Sequence, residues 1–167
     1  MKENIILIGF MGAGKTSVGQ QLARQQNCSF LDIDEYIEKR AGMAVSQIFE
    51  IQGEEAFRRM ETESLRELAG NCRGCVISVG GGLPVREENR KLLKQLGTVI
   101  YLRVMPKTVE ERLKGDKTRP MLQGGDSGER IRTLLAFRNP LYEEAADHIL
   151  DADGKTVKKI LEEIRAL

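Results

Sequence analysis

Apolar and polar positions follow two rhythms along this chain. Nearly continuous apolar runs occur at Ile5, Ile6, Leu7 and Ile8, around Leu31 and Ile33, around Val76, Ile77 and Val79, from Val99 to Leu102, and at Ile149 and Leu150. Such runs suit strands buried on both faces of a parallel sheet. Between them apolar residues recur every three or four positions, as in Val18 and Leu22, or Val157, Ile160, Leu161 and Ile164. That spacing marks helices with one core-facing side. The pattern predicts strands at residues 5–8, 29–33, 75–79, 98–104 and 148–151. It predicts helices at 15–26, 34–41, 46–51, 54–69, 86–95, 106–114 and 129–145, and a last one carrying the Val157 stripe. Gly42, Gly53 and Gly70 read as helix stops, and Pro106 as a first-turn residue. Residues 115–128 read as a long loop with glycines at its ends. Strands alternating with helices predict an α/β fold, a parallel sheet covered by helices.

Composition narrows the function. The 167 residues suit one domain that needs no metal or disulfide staple. Charged residues make up 31% yet leave a net charge of only +1, so no global field favours nucleic acid or an acidic membrane. No apolar run reaches the length of a bilayer span, and a core strand starts at Ile5 with no signal or transit peptide before it. A cytoplasmic monomer without nucleic acid, membrane or obligatory protein partner is the expectation. Cys28, Cys72 and Cys75 cannot all pair, and one C-x-x-C without histidines reads as incidental thiols. The single histidine, His148, reads as a strand-edge residue, which leaves base chemistry to carboxylates.

The first apolar run ends in glycine. Gly9, then Gly14, Lys15 and Thr16, fit the G-x-x-x-x-G-K-[ST] pattern of a phosphate-binding loop between a strand and a helix. Glycines at 9, 12 and 14 let backbone N–H groups approach an anion, and the helix start adds its positive dipole end. Lys15 brings charge to the β- and γ-phosphates, and the Thr16 hydroxyl suits Mg²⁺. After the second run, Asp32 and Asp34 lie at i and i+2, where an extended backbone aims both to one side. One can hold Mg²⁺ while the other accepts a proton from an attacking hydroxyl. Capping of the next helix is a second role open to them. After the third run stand Gly80, Gly81 and Gly82, either a plain turn or a stretch of bare backbone for a small molecule.

Helical periodicity singles out three inward charges. Glu61 falls in the stripe set by Phe57, Met60 and Leu68, with Arg58 on its flank and Arg59 opposite. Arg138 lies on the stripe of Ile131, Leu134, Leu135, Leu141 and Tyr142. A buried guanidinium needs an anion. Arg58, Glu61 and Arg138 therefore form either a closed structural network or a grip on a substrate carboxylate, with Glu61 orienting the arginines. Arg119, in the loop with glycine ends, can close over a nucleotide and supply charge to the phosphoryl group.

GFMGAGKT at 9–16, LDID at 31–34, FRRME at 57–61, GGG at 80–82, RPML at 119–122 and RNPLY at 138–142 together resemble the shikimate kinases over essentially the whole chain. The resemblance implies a P-loop, nucleoside-monophosphate-kinase-like fold with a five-stranded parallel sheet. It implies transfer of the ATP γ-phosphate to the 3-hydroxyl of shikimate, on the way to chorismate and the aromatic amino acids. By position it implies ATP contacts from Gly12, Ala13, Gly14, Lys15, Thr16 and Ser17, with Mg²⁺ on Thr16 and Asp32. Asp34 becomes the base at the reacting hydroxyls, with Lys15 and Arg119 assisting. Arg58, Glu61, Arg138 and the backbone of Gly80, Gly81 and Gly82 hold shikimate. Arg112 and the turn ending at Lys155 flank adenine. A lid over about residues 112–128 and a substrate-binding helical segment over about 34–61 follow. Another small-metabolite kinase, such as one for gluconate, would lack the Arg58, glycine and Arg138 set. A non-catalytic P-loop module would usually show an N-K-x-D stretch or an acidic third strand, and neither occurs.

Overall fold

Strand β1, Asn4–Ile8, is the middle of the sheet because Ile6, Leu7 and Ile8 have no solvent-exposed face. The computed structural model describes residues 3–114 and 127–167. Around β1 stand β2 (Phe30–Asp32), β3 (Val76–Ser78), β4 (Gly97–Arg103) and β5 (His148–Asp151), in the order β2-β3-β1-β4-β5 with every pair parallel. The register sets Ile6 beside Ile77 and Val99. Helices are α1 (Lys15–Gln26), α2 (Ile33–Ala41), α3 (Val45–Gln52), α4 (Glu54–Asn71), α5 (Glu87–Leu96), α6 (Pro106–Arg112), α7 (Ser127–Ala145) and α8 (Val157–Arg165). Helix α1 packs with α8, while α5 packs with both α4 and α7. Among the described residues, no helix is long and apolar enough to cross a membrane.

The chain leaves β1 toward β2 on one side and leaves β3 toward β4 on the other. The crevice beyond the carboxyl ends of β1 and β3 is thus a switch point of an open parallel sheet, where ligands collect. The phosphate loop and the glycine run both emerge there.

Several boundaries differ from the sequence expectation. β2 and β3 are three residues each, shorter than the apolar runs, because the chain turns away where the sheet ladder ends. Gly70 does not stop α4, which continues to Asn71 and is closed by the Cys72 N–H on Leu68 O. A 3-10 turn at Leu83–Val85 was not legible, and α7 begins at Ser127, inside the expected loop. The rest of that loop, Arg119 included, lies outside the described residues.

Cys72 and Cys75 sit at the opposite end of the sheet from the crevice, tied to the start of β1. Asn4 Nδ2 donates to Cys72 O at 3.1 Å, and Cys75 N donates to Asn4 Oδ1 at 2.9 Å. Burial pushes the Cys72 thiol up to about 12, so it stays protonated and unreactive. His148 opens β5, the edge strand, as its context predicts.

Candidate active site

The loop after β1 takes its shape from glycine. Gly9, at φ 148°, would place a Cβ 2.6 Å from the Leu102 carbonyl oxygen, and Gly14, at φ 92°, starts α1 in the left-handed region. Helix α1 opens with no side-chain cap. Its first turn therefore offers backbone N–H groups and a positive dipole end to an anion. Lys15 Nζ is held by the carbonyls of Gly9 at 2.6 Å and Phe10 at 3.0 Å.

A cavity of about 220 Å³ opens over this loop, lined by Gly12, Gly14, Lys15, Thr16, Ser17, Asp32, Asp34 and the Ser78 to Gly81 stretch. Ala13 is not in the lining. Its methyl is buried and its N–H donates to Phe10 O at 3.1 Å, bracing the loop from behind. Asp32 and Asp34 are not brought to one side by an extended backbone, as their i, i+2 spacing predicts, because the chain turns into a helix between them. Asp32 ends β2 and caps α2, its Oδ1 accepting from Glu35 N at 3.1 Å, and Asp34 already lies in the first helical turn. Both still face the same cavity, because the helix starts at its rim.

A smaller cavity of about 80 Å³ adjoins the first, and the two share Met11, Asp34, Gly80 and Gly81. Its own walls are Arg58, Glu61, Arg138, Gly82 and the apolar Val45, Phe49 and Phe57. Met11, Val45 and Phe49 carried no chemical signal in the sequence. Asp34 thus stands where the cavity over the glycine-lysine loop meets a second cavity lined by two guanidinium groups.

The three glycines are required by space. A Cβ at Gly80 would lie 2.9 Å from Asp34 Oδ1 and 3.3 Å from Glu61 Oε2. One at Gly81 would lie 3.2 Å from Arg138 Nη1, and one at Gly82 would collide with the Arg58 guanidinium. Any larger residue would fill the second cavity or push its charged walls aside. The glycine run is therefore a wall of bare backbone and not merely a turn.

Burial and charge separate the two arginines. Arg58 Nη1 pairs with Glu61 Oε1 at 2.7 Å and its Nη2 with Glu54 Oε1 at 3.2 Å, while Phe49 and Phe57 lie under the group. Burial alone would pull Arg58 down, but the charge and hydrogen bond of Glu61 outweigh it and raise it. Glu61 is 0% exposed; burial pushes its carboxyl up to about 7, although Arg58 pulls it down. Arg138 is 3% exposed, yet its Nε and Nη1 have no hydrogen-bond partner among the described residues. Its guanidinium carbon lies 5.6 Å from the centre of the Phe10 ring. The network is therefore not closed. It has one balanced arginine and one with capacity for an incoming anion.

At the far end of the first cavity, Arg112 Nη1 donates to Gly12 O at 2.7 Å. Asp153 ties the turn after β5 to the start of α6, accepting from Met105 N at 3.0 Å and from the Thr108 hydroxyl. Lys155 is turned to α8, where it pairs with Glu163 at 2.9 Å, and lines neither cavity.

A family model described as shikimate kinase matches residues 11–167. A shikimate kinase of Thermodesulfovibrio yellowstonii is 45% identical over 162 residues, covering 97% of this chain and 92% of that protein. One of Thioalkalivibrio sulfidiphilus is 44% identical over 161 residues, covering 96% of this chain and 84% of that protein. The solved structure of shikimate kinase from Acinetobacter baumannii in complex with shikimate superposes with a TM-score of 0.94 at 38% identity, covering 99% of this chain and 92% of that one.

Proposed function

The chain belongs to the shikimate kinase family, and on that premise we propose how its residues divide the transfer of the ATP γ-phosphate to the 3-hydroxyl of shikimate. It is an ATP-dependent phosphotransferase; another small-metabolite kinase or a non-catalytic module is not favoured. Gly12, Gly14, Lys15, Thr16 and Ser17 cradle the phosphates, with Ala13 bracing the loop. Lys15 supplies charge where negative charge gathers on the transferring group. Arg112 and the turn that Asp153 secures flank the adenine, with Lys155 at the edge of that turn.

Thr16 and Asp32 would hold Mg²⁺. Their hard oxygen donors line one cavity, and no cluster of three or more His, Cys, Asp or Glu that could hold a metal occurs among the described residues. That donor set suits Mg²⁺, which keeps waters and takes phosphate oxygens as its remaining ligands. When bound, the ion neutralises charge on the β- and γ-phosphates.

The second cavity takes the acceptor. Arg138 and Arg58 grip its carboxylate, Glu61 orients Arg58, and the backbone of Gly80, Gly81 and Gly82 lies against the ring. Asp34, at the junction, takes the proton of the attacking hydroxyl as that oxygen meets the γ-phosphorus. The helical segment of residues 34–61 supplies most of this pocket, and residues 112–128, with Arg119, close over both substrates as a lid that excludes water. Dependence on ATP supports a cytoplasmic setting.

The observation that carries the acceptor reading is the buried Arg138, whose Nε and Nη1 lack partners in the second cavity. The test pairs Arg138→Ala with the methyl ester of shikimate. Wild-type protein should use the ester poorly, and Arg138→Ala should lose about 2 to 5 kcal/mol of acceptor binding, as for truncation of one partner of a buried charge pair. The variant should also discriminate far less between acid and ester. Equal use of acid and ester by the wild type would show that the arginines serve structure alone.

A further inference from the structure

We infer that Tyr142 is a positioning residue for the acceptor, holding the middle of the glycine run and the Arg138 guanidinium as one unit so that Arg138 keeps its charge for the acceptor's carboxylate. The inference rests on the acceptor-site reading above and names a residue that reading leaves in the core.

Tyr142 follows Arg138 by one helical turn on α7, so the two side chains lie on the same face. Its ring is 0% exposed and its hydroxyl donates to Gly81 O at 2.5 Å. A Cβ at the same Gly81 would lie 3.2 Å from Arg138 Nη1. The Arg138 guanidinium lies close enough to the phenol for its positive charge to favour the ionised form. The hydroxyl therefore anchors the backbone wall at the residue that packs against the cation of the pocket. The ring itself cannot drift, because it packs on Tyr101 with centroids 5.0 Å apart. Tyr101 in turn donates to Asn139, the neighbour of Arg138.

The chemistry of this support is as informative as its position. Arg58 is held by two carboxylates, Glu61 and Glu54, whose charge offsets its own. Arg138 instead has the π face of Phe10 5.6 Å from its guanidinium carbon and the Tyr142 phenol near enough to feel its charge, and neither group is ionised. A carboxylate in that place would orient Arg138 more firmly but would compete with the substrate's anion. Neutral partners fix its direction and leave its charge unspent. Burial pushes the Tyr142 phenol up to about 12, against the pull of Arg138, so the hydroxyl remains a donor to Gly81 throughout the neutral range.

Tyr142→Phe removes only the oxygen and keeps the ring in its packing. The KM for shikimate should rise about tenfold, the worth of one hydrogen bond to a charged or buried partner. The KM for ATP should stay within about twofold and kcat within about threefold, since Lys15, Thr16 and the rest of the phosphate loop are untouched and Gly81 lies only at the rim that the two cavities share. Preference for shikimate over its methyl ester should shrink together with the affinity, because the loss passes through carboxylate recognition. The thermal midpoint is measured alongside, and a drop of a few degrees is compatible with one lost hydrogen bond. An unchanged KM for shikimate in the folded variant would overturn the inference. So would a parallel rise in both KM values, which is what general loosening of the core would produce. Arg138→Ala in the same assay separates the two levels of argument. If it too leaves the shikimate KM unchanged, the acceptor reading fails. If it raises that KM while Tyr142→Phe does not, only the role of Tyr142 is lost.

Discussion

Glu61→Gln should change how stability depends on pH. In the folded protein burial raises the Glu61 carboxyl from 4.5 to about 7, because the low-dielectric interior penalises its charge more than Arg58 rewards it. Between those two values the native state holds a proton that the unfolded chain has released. Stability therefore falls as pH rises through this window, and the full contribution is present only below about 4.5. The shift of roughly two and a half units, at about 1.4 kcal/mol each, amounts to about 3 kcal/mol lost from below pH 4.5 to above pH 7. Glutamine keeps the shape and an acceptor for Arg58 but cannot ionise. Urea denaturation of the ligand-free protein at several pH values between 4 and 8 gives the two stability curves. Titrating groups remote from the site contribute equally to both, so the difference between wild type and variant reports Glu61 together with its coupling to Asp34 and Arg58. That difference should move by about 3 kcal/mol in favour of the variant as pH rises. Curves that stay parallel within about 0.5 kcal/mol would refute the argument, since Glu61 would then ionise as easily inside the protein as outside.

Two further outcomes test the transfer machinery. Lys15→Met removes charge from the phosphate cavity without touching the core, so the protein should fold while transfer drops by about a hundredfold or more; near-normal turnover at saturating ATP would remove Lys15 from the mechanism. Asp34→Asn should lower kcat by about 10² to 10⁴ with little change in ATP affinity, because an amide can still hydrogen-bond but takes up no proton. Turnover within a few-fold of wild type would mean that Asp34 only positions the hydroxyl and that alignment and charge carry the reaction.

Much of this was decided by neighbours along the chain. The phosphate loop was legible because glycine conformation, a helix start and a lysine reach all act within a dozen residues, and α1 spans Lys15–Gln26 as its periodicity predicts. The inward charges Glu61 and Arg138 were legible because helical spacing gives each position a direction before any partner is known. Tertiary structure decided the rest. It set where β2 and β3 stop, since a strand lasts only while its neighbour pairs with it. It turned the glycine run from a turn into a wall, because the groups a Cβ would strike arrive from α2, α4 and α7. It made Glu61 hard to ionise, a property of burial that residue type alone cannot carry. It also joined Tyr142 to Gly81, 61 residues apart, and Arg138 to the ring of Phe10 in the phosphate loop. Local rules specify a residue's conformation and facing, but the partner it meets there depends on how distant segments pack, and in this site the partners set the charge balance between its two arginines.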